Sequence, residues 1–259
     1  MKFLSIGDGA YLNWLRLYDL DDLWVITDFK RELDSCCNPL YYISLGGLAN
    51  IASRLIEEGA DVNAQGGGYG NALQAALARG RNKIVDVLLS KGANINAQGG
   101  VYGNALQAAS NGGHSKIVDV LLSKGINVNA QGGHFGNALQ AASYGGHNKI
   151  VDVLLSKDTN VNAQGGHFGN ALQAASNGGH NKIVDVLLSE GTNVNAQGGH
   201  FGNALQAASY RGYNKIVNLL LNKGADVNAQ GGHYGNTLQA AIAGGHNKIV
   251  EELPSKGAV

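Results

Sequence analysis

Apolar positions along the chain follow a helical spacing that restarts at fixed intervals. In the stretch 137–162, Ile150, Val151, Val153, Leu154 and Leu155 form one wide stripe, and Lys149 and Asp152 fall on the wet side. That pattern predicts an amphipathic helix over 149–155, opened by Asn148, with Lys149 and Asp152 spaced to pair. Just upstream, Ala138-Leu139-Gln140-Ala141-Ala142 predicts a shorter helix rich in small residues. Asn137 offers a side-chain acceptor at its start, and Gly145-Gly146 stops it. The polar run Asn160-Val161-Asn162-Ala163-Gln164-Gly165-Gly166 reads as an extended stretch entering a turn.

The same sentence of residues recurs. Asn-Ala-Gln-Gly-Gly begins at Asn63, Asn96, Asn129, Asn162, Asn195 and Asn228, in steps of 33 without insertion. Between these lies Asn-Ala-Leu-Gln, beginning at Asn71, Asn104, Asn137, Asn170 and Asn203, with Asn236-Thr237-Leu238-Gln239 as the last copy. One step before Asn71 stands Asn38-Pro39-Leu40-Tyr41, a degenerate first copy. A single helix pair of this kind cannot bury its stripe, whereas stacked pairs make a continuous core. The expected fold is an all-α solenoid of about seven stacked helix-turn-helix units with hairpin-like turns, over 38–259. Glu252 and Pro254 cut the last pair short, as an end cap or as the stump of a longer array. Residues 1–37 break the period; Trp14, Leu15, Leu17, Leu20, Leu23, Trp24 and Val25 suit a connector or cap over the first pair.

Gly224-Ala225-Asp226-Val227-Asn228-Ala229, Gly146-His147, Ile150-Val151 and Leu154-Leu155 together resemble the ankyrin repeat, landmark by landmark and at its spacing. The resemblance covers 38–259 and implies a module that holds another protein. It departs at Asn-Ala-Leu-Gln, where that family has Thr-Pro-Leu-His; Asn can cap as Thr does, and Gln can still donate and accept locally. The turn Gln-Gly-Gly-x-aromatic-Gly-Asn is similar to ankyrin arrays attached to fungal NACHT-type receptors, and Asn13–Asp19 is similar to the connector that often precedes them. No Gly-x-x-x-x-Gly-Lys-Ser/Thr occurs in this chain.

Charge narrows the classes. Lys plus Arg equals Asp plus Glu at 19 each, so the basic surface that displaces phosphate counterions is missing and nucleic acid is not an expected partner. Cys36 and Cys37 are adjacent with no others to pair with, which argues for a reducing compartment, cytoplasmic or nuclear. Gly7 and Asp8 break the opening apolar run before it reaches signal-peptide length, and no run suits a membrane helix.

Histidines fall at two repeat positions: His134, His167, His200 and His233 in the turns, and His114, His147, His180 and His246 after the paired glycines. The second set is expected to satisfy loop carbonyls and the first to be exposed. With stacked helices about 8–10 Å apart, equivalent histidines would be spaced too widely to share a metal, so no metal or cofactor is expected. Ser110, Ser143, Ser176 and Ser209 repeat one environment, whereas catalysis concentrates unlike groups in one pocket.

Function is expected where the copies disagree. The turns vary at 68, 101, 134, 167, 200 and 233, followed by Tyr69, Tyr102, Phe135, Phe168, Phe201 and Tyr234. The ends of the first helices vary through Arg79, Asn111, Tyr144, Asn177, Tyr210 and Arg211. These positions, with His134, His167, His200 and His233, are the candidate partner-binding set, because the resemblance places them on turn tips and the concave face. The turn aromatics could equally pack between adjacent turns. The expectation is a monomeric, non-enzymatic interaction module for a protein partner. A receptor fragment, or an accessory enzyme acting on a small molecule, are the alternatives. One copy breaks its own rule, since Asp158 stands where others have Gly92, Gly125, Gly191 or Gly224. A non-glycine residue in that left-handed helix-closing position costs about 1 kcal/mol.

Overall fold

The computed structural model describes residues 38–259. The cap expected of 1–37, with Cys36 and Cys37, lies outside the described residues. Seven helix pairs follow one another, each an inner helix and then an outer one. They are α1 (Pro39–Gly46) and α2 (Ala49–Glu57), α3 (Ala72–Ala78) and α4 (Asn82–Ser90), α5 (Ala105–Asn111) and α6 (Ser115–Ser123). Next come α7 (Ala138–Gly145) and α8 (Asn148–Leu155), then α9 (Ala171–Gly178) and α10 (Asn181–Ser189). The stack ends with α11 (Ala204–Arg211) and α12 (Asn214–Asn222), and α13 (Thr237–Gly244) and α14 (Asn247–Glu252). Pro254 removes a helical donor, and the chain leaves α14 through a 3-10 turn over Leu253–Lys256.

The two layers bury different amounts. In α7 every residue from Ala138 to Ser143 is buried, whereas α8 buries only Ile150, Val151 and Leu154. Inner helices are packed between neighbours on both sides, and alanine lets those neighbours come close. One apolar cluster runs through the stack from Leu40 to Leu253. The charges of the outer helices stay in water. Lys149 and Asp152 do not form the expected ion pair; the pairs among described residues are Arg54–Glu58, Lys91–Glu57 and Lys248–Glu252, at 3.5–3.9 Å. Two exposed side chains three apart gain too little to be held together.

Hydrogen bonds between units set the register. Asn137 Oδ1 accepts from the Gln140 amide at 2.9 Å, and Gln140 Oε1 accepts from the Asn137 amide at 2.8 Å, closing a capping box. Gln140 Nε2 then reaches into the next unit and donates to the carbonyls of Ala163 and Gly169, at 3.2 and 2.9 Å. Thus the glutamine that stands where the ankyrin repeat it resembles has histidine is half cap and half strut. Asn195 does a similar job at the other end, donating to Gly224 O at 3.0 Å and accepting from the Asp226 amide at 2.8 Å.

The segment 160–163 is not extended. Asn160 folds it into a tight turn, accepting from the Asn162 amide on Oδ1 and from the Ala163 amide on its carbonyl, both at 3.1 Å. The all-α expectation needs a small correction as well. Gln98–Gly99 (β1) and Gly103–Asn104 (β2) pair antiparallel, and the other turns carry single bridges such as Gly132 with Gly136. Asp158 is the one non-glycine at positive φ among the described residues, at 54°.

Candidate partner-binding face

Each turn tip is a tight loop between two glycines. In the fourth unit the Gly132 amide donates to Gly136 O at 2.9 Å, which lifts His134 and Phe135 to the crest. Gly136 has φ 93°, and a Cβ there would lie 2.0 Å from Gln140 Oε1 and 2.8 Å from the next unit's Gly165 carbonyl carbon. Only glycine allows that approach.

Neighbouring crests are joined by backbone. The amides of His134, His167, His200 and His233 donate in turn to the carbonyls of Val101, His134, His167 and His200, at 2.7–2.8 Å. This one-bond-per-unit ladder draws the tips to the separation of paired β-strands, roughly 4.8 Å. The histidine rings accordingly stack at 4.9–5.0 Å, about half the spacing expected from helix packing. Their planes lie 17° apart, so in-plane nitrogen lone pairs run side by side instead of converging. Among the described residues no group of three or more His, Cys, Asp or Glu is placed to hold a metal.

Behind the histidines runs a second row. Tyr69, Tyr102, Phe135 and Phe168 stack successively at 5.4–5.9 Å, and Phe201 stacks on Tyr234 at 6.2 Å. Each turn histidine meets its own unit's ring edge to face at 5.0–5.1 Å. Inner-helix tyrosines close the row from the other side, Tyr144 on Phe168 at 4.6 Å and Tyr210 on Tyr234 at 4.5 Å.

The candidate residues therefore divide. Arg79, His134, Arg211 and His233 are exposed, and Tyr69, Tyr102, Asn111, Tyr144, His167, His200, Tyr210 and Tyr234 are half-buried. Phe135, Phe168, Phe201 and Asn177 are buried, at 2–6 % exposure, and present no surface to a partner. The phenylalanines are covered by histidine and tyrosine rings, while Asn177 Oδ1 holds Arg211 at 3.3 Å. Val101, 49 % exposed at its tip, belongs to the face although its apolar type singled it out less than the rings beside it.

Stacking also alters the ring chemistry. His167 and His200 are held below the ordinary histidine range, first by desolvation and then by neighbouring turn histidines. Burial, then the nearby Tyr69, raises the Tyr102 hydroxyl. Tyr234 is raised first by its hydrogen bond to Tyr210 and then by desolvation.

The second histidine set is structural, as expected from the sequence. Nε2 of His114, His147, His180 and His246 contacts the carbonyl of Ala78, Asn111, Tyr144 and Tyr210 in the preceding unit, at 2.8–3.2 Å.

A family model described as ankyrin repeats (3 copies) matches residues 17–99, 100–165, 139–231 and 171–259. The chain belongs to the ankyrin repeat family. A crystal structure of the human ASB11 ankyrin repeat domain is similar at a TM-score of 0.69, covering 85 % of this chain and 98 % of that one. At 23 % identity that likeness is one of fold. Among curated proteins, Azaphilone pigments biosynthesis cluster protein L of Monascus ruber is 47 % identical over 96 residues. The match takes in 33 % of this ankyrin chain and spans about a fifth (20 %) of the length of that relative. Ankyrin repeats are general protein-interaction modules, and among the described residues no helix is long and apolar enough to cross a membrane.

Proposed function

We propose that this array binds a protein partner across its turn tips and inner helices, as a recognition arm or scaffold without turnover. One observation carries the reading. The units repeat their scaffold residues and differ at Arg79, Tyr144, Tyr210 and Arg211, all of which lie exposed or half-exposed beside the tip rings. Tyrosine and arginine dominate interface energetics because each offers large contact area with a polar end. The test is capture from cell extract with Tyr144→Ala/Tyr210→Ala/Arg211→Ala beside the wild type. The folded triple variant is expected to lose specific partners; equal recovery of every partner would sink the assignment of this face.

An accessory enzyme finds less support. An open hollow lined by Gly179, Asn181, Tyr213, Asn214 and Lys215 has its counterpart one unit earlier, lined by Gly146, Asn148, His180, Asn181 and Lys182. Both are products of the repeat, and neither gathers unlike catalytic groups. The Monascus likeness takes in 33 % of a repeat chain whose scaffold is shared by unrelated functions, so it brings no substrate to this chain. The narrower kinship with NACHT-type receptor arrays rests on the turn Gln-Gly-Gly-x-aromatic-Gly-Asn and the connector-like 13–19 segment.

A further inference from the structure

Although the chain is neutral as a whole, its charges are segregated. In the segments 65–81, 98–114, 131–147, 164–180, 197–213 and 230–246, which carry the turns, inner helices and following bends, there is no Asp or Glu. The fixed charges there are Arg79, Arg81 and Arg211, all positive. Described carboxylates instead sit on outer helices, as Asp86, Asp119, Asp152 and Asp185 do, or in the bends beyond them.

Two of these arginines have no counter-ion among the described residues. The Arg79 guanidinium lies 5.9 Å over the Tyr69 ring, and that of Arg211 lies 5.7 Å over Tyr210 while donating to Asn177 Oδ1 at 3.3 Å. Neither is within 4.0 Å of a carboxylate among the described residues, unlike Arg54, which pairs with Glu58. Guanidinium groups fixed by rings keep unused donors in the fork geometry that matches a carboxylate. The four turn histidines extend the surface by about 15 Å, three ring steps of 4.9–5.0 Å. The charged neighbours bearing on His167 and His200 are other turn histidines: His134 for the first, His167 and His233 for the second. Their remaining close neighbours are the Phe and Tyr rings behind them, and among the described residues no carboxylate lies within 4.0 Å of either ring.

We infer that the partner segment is acidic: a Glu/Asp-rich peptide lying along the tip histidines, with carboxylates meeting Arg79 and Arg211. This deepens the proposed function and rests on it. His167 and His200, each stacked between two other turn rings, protonate less readily than free imidazoles, and a row of carboxylates supplies the missing counter-charge, so binding takes up protons. A peptide suits the face better than nucleic acid, whose affinity comes from many Lys and Arg contacts to phosphate. The array offers few such cations on this face.

The probe is a labelled oligo-glutamate peptide, measured by fluorescence anisotropy against oligo-glutamine, oligo-lysine and a single-stranded oligonucleotide. Oligo-glutamate is expected to bind preferentially, to weaken with salt and to tighten as the pH is lowered from about 7.5 to about 6. Arg79→Gln/Arg211→Gln should weaken it roughly fivefold or more at low salt, whereas Lys83→Gln/Lys149→Gln on the outer helices should leave it unchanged. His167→Gln/His200→Gln should flatten the pH response while thermal melting confirms a folded array. No preference for oligo-glutamate, equal binding of the oligonucleotide, or loss only in the outer-helix variant would each overturn the proposal. If oligo-glutamate fails while the triple variant still loses its partners in capture, the binding face stands and only its acidic preference falls.

Discussion

Turn tips and outer helices repeat with one period, yet adjacent copies touch in different ways. Tips are drawn together by direct backbone bonds of 2.7–2.8 Å, so their rings stack at β-strand spacing. Outer helices meet through side chains and keep one face in water, and they bury only three residues each in α8, α10 and α12. The glycines separate the two regimes. Gly136 at a tip and Gly125 after α6 both have positive φ, 93° and 74°, but a Cβ on Gly125 would meet nothing within 4 Å. One position needs the backbone conformation, and the other needs the conformation and the empty space together.

Alanine at these two glycines is therefore the strongest way to test the contrast. Gly136→Ala combines left-handed strain with overlap against Gln140 and the Gly165 backbone, and is expected to cost about 2–4 kcal/mol. Gly125→Ala carries the strain alone, at about 1 kcal/mol. Urea unfolding of both variants checks the order. Equal losses would mean that the tips relax as freely as the outer bends, and the two regimes would collapse into one.

Asp158→Gly works in the opposite direction within the outer layer. Asp158 occupies the left-handed position that Gly125 and Gly191 fill in neighbouring units, at φ 54°. Its carbonyl still accepts from Asn129 Nδ2 at 3.2 Å, so the register bond survives and only the backbone conformation is unfavourable. The substitution is expected to stabilise the array by about 1 kcal/mol, a rise of roughly 2–4 °C in melting temperature. An unchanged or lower melting temperature would count against this.

What could be read beforehand follows the same division. Events inside one unit were legible: the Asn caps, the paired-glycine stops, the amphipathic outer helices and the strain at Asp158 all depend on residues a few positions apart. The histidines after the paired glycines were also placed correctly, because a half-buried imidazole beside a bend meets the carbonyls of the preceding helix end. Features between units were less legible. The tip spacing of 4.9–5.0 Å depends on backbone bonds between neighbouring crests, which no residue within one unit spells out, and it decides that the phenylalanines are covered and not offered. Asn177 was misassigned for a related reason, since it varies between copies yet is buried, at 2 % exposure, holding the arginine of the next unit. Variation between repeats marks where the scaffold is indifferent, and some of those places serve the neighbour instead of the solvent.

The smallest expected effect is the pH response of the tips. His167 and His200 bind their protons less readily in the folded array than in the unfolded chain, with desolvation the first cause and adjacent turn histidines the second. As the pH falls through the ordinary histidine range the unfolded chain takes up protons first, so unfolding gains. The contribution is fully present above the unfolded value and declines as the pH falls toward the lowered folded values. Urea midpoints measured between about pH 7.5 and about pH 5.5 should fall less in His167→Gln/His200→Gln than in the wild type. Lys149→Gln on an outer helix should leave the wild-type slope intact. Parallel slopes for wild type and the histidine variant would show that the stacked rings shed their protons no more easily than free ones, and that the tips, although close, do not act on each other electrostatically.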